Sequence, residues 1–261
     1  MYEKIFALSE TERMKKIRAN ILRHPVANAR NVYENPDYPL YYSGDRWLTR
    51  TFLEGWKQNI DQPTTLLRRA YAEAYALDHS EPVLFEEDLI AGQLDLHPLS
   101  ADEKAELYAM AREFERYAPN LKSGRHDHIC LDFPKLLRGG VNGLLAEIRE
   151  RRAALDLNDP ETIAENTEKE EFYHGCEVEL EALLRYARRY AAKAREMAGC
   201  AKDSADAENL RMVAETLDRV PANPARTFRE ALQSVHFYVF NLFGLYPGGR
   251  PDRYLLPLRW A

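Results

Sequence analysis

The sequence predicts a mainly α-helical protein with a few β-strands. Apolar residues recur at spacings of three and four over most of the 261 residues, and capping signatures open several of these stretches. Only Leu89–Leu96 alternates in the manner of a half-buried strand.

Taken in order, Ser9 and Glu12 have capping-box spacing ahead of a helix reaching about His24. The aromatic stretch from Tyr33 to Tyr42, with Pro36 and Pro39, reads as an irregular connection. Helices follow near Asp45–Asn59 and Pro63–Leu77. The strand Leu89–Leu96 lies between Pro82 and Pro98, and Ser100 with Glu103 opens a helix ending near Tyr117. Asp132 caps a helix that stops at Gly139-Gly140, and another starts about Val141. A long helix spans Pro160 to Met197, with Leu180, Leu183, Leu184, Ala187, Tyr190, Ala191 and Ala194 as its apolar stripe. A shorter one covers Ala205–Leu217.

For the last helix Asn223 is the expected N-cap, with Pro224 at the first helical position. From Val235 to Leu245 it is apolar nearly all round, the pattern of a helix inside a large protein. Tyr254-Leu255-Leu256 reads as the opening of a buried strand. Two apolar elements followed at once by the end of the chain lead us to expect a piece of a longer polypeptide.

Composition narrows the function. With 45% hydrophobic and 30% charged residues the chain can bury a core and is no disordered or fibrous sequence. The 36 basic and 42 acidic residues are interspersed, without the basic stripe of a nucleic-acid binder. No apolar run approaches the roughly 20 residues of a membrane span, and the first residues lack a signal-peptide pattern. Three cysteines, Cys130, Cys176 and Cys200, form no CxxC pair and suggest a reducing compartment. A cytoplasmic protein is expected.

Four stretches carry a resemblance: Glu87-Asp88-Leu89-Ile90-Ala91-Gly92; His128 through Gly139 (HICLDFPKLLRG); Arg185 through Ala191 (RYARRYA); and Val220-Pro221 through Gln233 with Gly249-Arg250-Pro251-Asp252-Arg253-Tyr254. Together, and in this order, they resemble the amino-terminal portion of the glycyl radical enzymes, the pyruvate formate-lyase group with its dehydratase and decarboxylase relatives. Arg253 departs from the glutamine usual there. The resemblance implies a fold: residues 1–261 as the helical start and first strands of a ten-stranded α/β barrel. It also implies a mechanism, in which a backbone glycyl radical oxidises a barrel cysteine to a thiyl that takes hydrogen from the substrate. Both radical-bearing loops are expected beyond Ala261, so no catalytic residue is assigned to this chain.

Gly175-Cys176-Glu177 superficially mimics the radical-cysteine loop, but Cys176 falls on a helix in the family register. Cys130 and Cys200 read as ordinary small side chains. The sharpest position is His128. By the resemblance, pyruvate cleavers carry an arginine here for the pyruvate carboxylate, whereas dehydratase-type relatives carry a histidine that hydrogen-bonds a substrate hydroxyl. His128 is therefore the expected substrate-binding residue, against the plainer reading of a loop-holding histidine. His126 and His128 lack further ligands for a metal site, and none is expected. Gly244-Leu245 stands where diol dehydratases have a histidine-serine pair, which argues against a glycerol-type substrate. Arg250 and Asp252 read as turn residues, and His236 as a core histidine.

The expected function is radical cleavage of a small polar substrate (lyase, dehydratase or decarboxylase type) by an enzyme of which this chain alone is inactive. The alternatives are a stand-alone helical fragment with a binding or assembly role, or formate C-acetyltransferase proper. Implied partners are the substrate and a radical S-adenosylmethionine activase that installs the glycyl radical, with a homodimer left open; no nucleic acid or membrane is expected, and no cofactor bound by this chain itself.

Overall fold

The computed structural model describes residues 14–15, 50–92, 131–243 and, between them, 102, 105–106, 109–110, 112–113 and 116. The described residues form six helices: α1 (Arg50–Gln58), α2 (Thr65–His79), α3 (Phe133–Ala153), α4 (Ile163–Cys200), α5 (Ser204–Arg219) and α6 (Phe228–Phe243). Each described residue between 102 and 116 is also helical, where the sequence predicts the Ser100–Tyr117 helix.

Local chemistry sets the helix ends. The Thr64 hydroxyl accepts from the Leu67 N–H at 3.3 Å to open α2, and the Asp132 carboxylate accepts from the Lys135 N–H at 3.0 Å to open α3. Asp203 caps α5 by accepting from the Ala205 N–H at 2.8 Å. α4 is the spine: its 38 residues extend about 57 Å, and α2, α3, α5 and α6 all pack on it. α1 rests on α2, where a Cβ on Gly55 would lie 2.7 Å from the Tyr75 Cβ, so only glycine admits this approach.

The main core gathers Leu77, Leu136, Val141, Leu183, Leu210, Val213 and Phe237 around the α4 stripe. Tyr186, Tyr190 and Phe237 meet there with ring centroids 5.0 to 5.9 Å apart. Such aromatic contacts add roughly 0.5–1.5 kcal/mol each beyond the area they bury.

α3 is two helical pieces meeting at Gly140, whose φ of 64° departs from the helix, as the Gly139-Gly140 pair predicts. Its Val141 N–H donates to the Pro221 carbonyl (2.8 Å) rather than to Leu137, and the Leu137 carbonyl accepts from the Ala225 N–H (3.2 Å). The segment between α5 and α6 thus occupies both halves of an opened helix bond.

That engagement corrects the expected start of the last helix. Asn223 is no N-cap: residues 221–225 are held against α3, and the Asn223 amide donates to the Arg219 carbonyl at 3.1 Å. α6 begins at Phe228, where the Thr227 hydroxyl accepts from the Glu230 N–H at 3.2 Å.

The expected strand at Leu89–Leu96 also needs correction over its described part. Residues 81–92 run irregularly between α2 and the rest, and among the described residues no β-strand forms beyond an isolated bridge at Val83. The reason is that side chains, not a neighbouring strand, take up the backbone groups of residues 83–92. Residues 93–96, His126, His128, Cys130, Gly244-Leu245, Arg250, Asp252 and the Tyr254–Leu256 strand lie outside the described residues, as does most of the Ser9–His24 helix.

Candidate functional site

α6 carries a polar stripe, Arg229, Gln233 and His236, at spacings of four and three that put them on one face. This stripe reads the backbone of the preceding segment almost residue by residue. Arg229 Nη2 donates to the Leu89 carbonyl at 3.1 Å. The Gln233 carboxamide closes a two-bond ring on Ala91: its Oε1 accepts from the Ala91 N–H at 2.8 Å, and its Nε2 donates to the Ala91 carbonyl at 2.9 Å. The His236 ring hydrogen-bonds the Gly92 backbone, and burial holds its pKa below the ordinary value. Gly92 has φ 113°, so the chain turns where a side chain would be strained.

Two other helices complete the clamp. The Asn209 amide donates to the carbonyls of Glu86 and Asp88 at 3.0 and 2.8 Å, and the Tyr190 hydroxyl accepts from the Val83 N–H at 3.2 Å. Gln233 and Ala91 are both essentially inaccessible to water, where an unmade hydrogen bond would cost on the order of 1–3 kcal/mol.

The next face of α6 holds the start of α3. Phe133 and Leu137 pack against Ala231 and Val235, with Leu131 partly buried beside them. The segment ending at Gly92 and the segment entering α3 through Asp132 are therefore both seated on α6. His128 precedes Asp132 by four residues and lies outside the described residues. His236 is half-buried and bonded, in keeping with a core histidine, but its partner is the Gly92 backbone. In the sequence that partnership is legible only as polar letters recurring at helical spacing.

Cys176 lies within α4, half-buried, and its thiol is pushed up to about 11 by burial and by the nearby Glu179 carboxylate. The exposed Cys200 ends the same helix, so both described cysteines are helical, Cys176 as the sequence predicts. Among the described residues, no three His, Cys, Asp or Glu side chains are grouped to hold a metal, and no helix is long and apolar enough to cross a membrane.

An open cleft of about 550 Å³ separates α2 from α4. Its charges are spent on one another: Arg185 grips Asp78 through two bonds of 2.9 and 2.8 Å, and Arg149 pairs with Glu177 and Glu181. Tyr71 and His174 bridge it at 3.2 Å.

This helical frame has counterparts among solved structures. It matches the B12-independent glycerol dehydratase of Clostridium butyricum in its glycerol-bound form with a TM-score of 0.74 and 24% identity, over 96% of this chain and 37% of that one. A glycyl radical enzyme of Archaeoglobus fulgidus matches with a TM-score of 0.68 and 23% identity, over 82% of this chain and 34% of that one. Among curated proteins, the chain is 34% identical to a probable dehydratase of Escherichia coli K12 over 143 residues, 53% of this chain and 17% of that protein. It is 38% identical to the isethionate sulfite-lyase of Bilophila wadsworthia over 133 residues, 48% of this chain and 16% of that protein. The chain spans about a sixth of the length of these curated relatives.

The pyruvate formate lyase-like family profile matches residues 110–255, and the chain belongs to that family of glycyl radical enzymes.

Proposed function

We propose that this chain forms the amino-terminal helical part of a glycyl radical lyase or dehydratase acting on a small polar substrate, with residues 1–261 as the outer helices and opening strands of its barrel. The observation that carries this reading is the convergence on α6 of the Glu87–Gly92 segment and the Asp132–Gly139 segment, two of the stretches that bear the resemblance. The relatives are named for dehydration and sulfite elimination, which favours a lyase over an acyltransferase. His128, in place of an arginine fork for a carboxylate, favours a hydroxyl-bearing substrate over pyruvate.

On this reading the glycyl radical supplies the hydrogen-abstracting chemistry, installed by a radical S-adenosylmethionine activase and carried by sequence outside this chain. The chain's own residues exclude water and hold backbone segments in place. His128 donates or accepts one hydrogen bond at the substrate hydroxyl. Alone, the chain is inactive, and it works in the cytoplasm of cells living without oxygen.

The test begins by translating the gene onward from the Ala261 codon in every frame. A frame bearing Gly-Cys and Arg-Val-x-Gly-Tyr stretches is expected. The two parts, produced together and treated anaerobically with the activase and S-adenosylmethionine, should then give a carbon-centred radical by electron paramagnetic resonance. With such an assembly, His128→Ala should raise KM more than it lowers kcat. A complete assembly that forms no radical would refute the proposal.

A further inference from the structure

The carboxamide of Gln233 is bonded on both sides to the backbone of one residue, Ala91, 142 residues away in sequence and equally buried. Only a side chain with a donor and an acceptor on the same terminal group closes such a ring. The same turn of α6 bears Val235, against which Phe133 and Leu137 at the start of α3 are packed. Beside the ring, Gly92 takes a φ of 113° and is bonded to His236, so the direction of the backbone is fixed at consecutive residues. The flanking bonds, Arg229 to Leu89 and Asn209 to Glu86 and Asp88, are made to carbonyls alone.

We infer that Gln233 is a positioning residue: its paired bonds to Ala91 fix the Ala91–Gly92 backbone on α6, the helix that also seats the first turn of α3, and through it the edge of the substrate cavity in the proposed enzyme. The second half of that statement rests on the proposed function; the first does not. An apolar side chain of the same size would fill the space and leave the Ala91 N–H and carbonyl buried without partners. Glutamate is the informative replacement. Protonated, its carboxyl has the same acceptor and donor as the amide and rebuilds both bonds. Ionised, it sets a second oxygen against the Ala91 carbonyl and leaves a lone charge in a site without water, so the segment must open to solvent and the Ala91 N–H is exposed with it. Burial and that facing carbonyl both favour the protonated form, so Gln233→Glu becomes a latch opened by raising the pH.

The experiment compares wild type, Gln233→Glu and Gln233→Leu as the whole chain, reading amide exchange at Ala91 at pH 6 and pH 9, corrected for intrinsic rates. Wild type should be protected equally at both. Gln233→Glu should match it at pH 6 and lose about tenfold at pH 9, while Gln233→Leu loses protection at both. Wild-type behaviour of the glutamate variant at pH 6 also shows that it folds. In the assembled enzyme, its KM should rise at pH 9 relative to wild type, with kcat changed less and the radical signal intact. Protection of Ala91 in Gln233→Glu that does not change with pH overturns the inference, and so does an unchanged KM once protection has been lost. Absence of any radical in the wild-type assembly overturns the proposed function instead, and the exchange data still decide whether the latch exists.

Discussion

Gly140 and Ala222 approach so closely that a Cβ on the glycine would stand 2.5 Å from the Ala222 carbonyl oxygen. The same residue has φ 64°, which L side chains rarely adopt. Two separate constraints thus demand glycine where α3 opens to receive residues 221–225. Through that joint, α3 and the lead-in to α6 become one unit.

Gly140→Ala is therefore expected to cost about 2–4 kcal/mol, from backbone strain plus overlap with a backbone that cannot yield. At Gly143, three residues on in the same helix, an added Cβ would meet nothing within 4 Å. Gly143→Ala should stabilise by about 0.5–1 kcal/mol, because alanine favours the helix. Urea unfolding of both variants checks the pair. Equal effects would remove Gly140 from its assigned role.

Acid should loosen α3 from α4 before it affects the apolar core. The Arg149 guanidinium beside Glu177 holds that carboxyl below its ordinary 4.5, with Arg152 adding to the effect and burial opposing it. A carboxylate whose folded pKa is depressed stabilises the fold above the unfolded value, and that contribution vanishes as pH falls through the folded value. The melting temperature should thus decline below about pH 4.5, with a shallower decline in Glu177→Gln. Thermal melts across that range, at low and high salt, provide the check, and salt should weaken the effect because Arg149 is half exposed.

Cys176 and Cys200 should differ sharply in reactivity. The Cys176 thiol, raised from 9.0 to about 11, holds roughly a hundredth of the ordinary thiolate at mildly alkaline pH. Iodoacetamide at pH 8 should label exposed Cys200 promptly and Cys176 only after denaturation, as read by peptide mass mapping. Fast labelling of Cys176 in the folded chain would contradict its burial within the helical frame.

What can be read from the sequence divides along physical lines. The α4 stripe, the Gly139-Gly140 break and the Asp132 cap are local signals, decided by residues within a few positions of one another, and they hold. The Asn223 cap fails because its local signal loses to contacts with α3 that are eighty or more residues distant in sequence. The Leu89–Gly92 strand fails over its described part for a related reason. Alternation marks an extended segment but not what bonds its backbone, and here Arg229, Gln233 and His236 do so. Arg229 and Gln233 stand in a recognisable motif and His236 has the surroundings of a core residue, yet no rule of spacing pairs any of them with residues 89–92. His128 stands out by resemblance alone.

The aromatic contact beneath the clamp separates packing from hydrogen bonding. Phe237 is fully buried against Tyr186 and Tyr190, and Phe237→Ala should cost about 3–5 kcal/mol of global stability. Tyr190→Phe keeps the ring and removes only the hydroxyl that accepts from the Val83 N–H. Its global cost should be about 1 kcal/mol, while amide exchange at Val83 speeds up more than at core amides of α4. Were Val83 exchange unchanged, the hydroxyl would not be holding the start of the clamped segment, and the bonds from Asn209 and α6 would suffice.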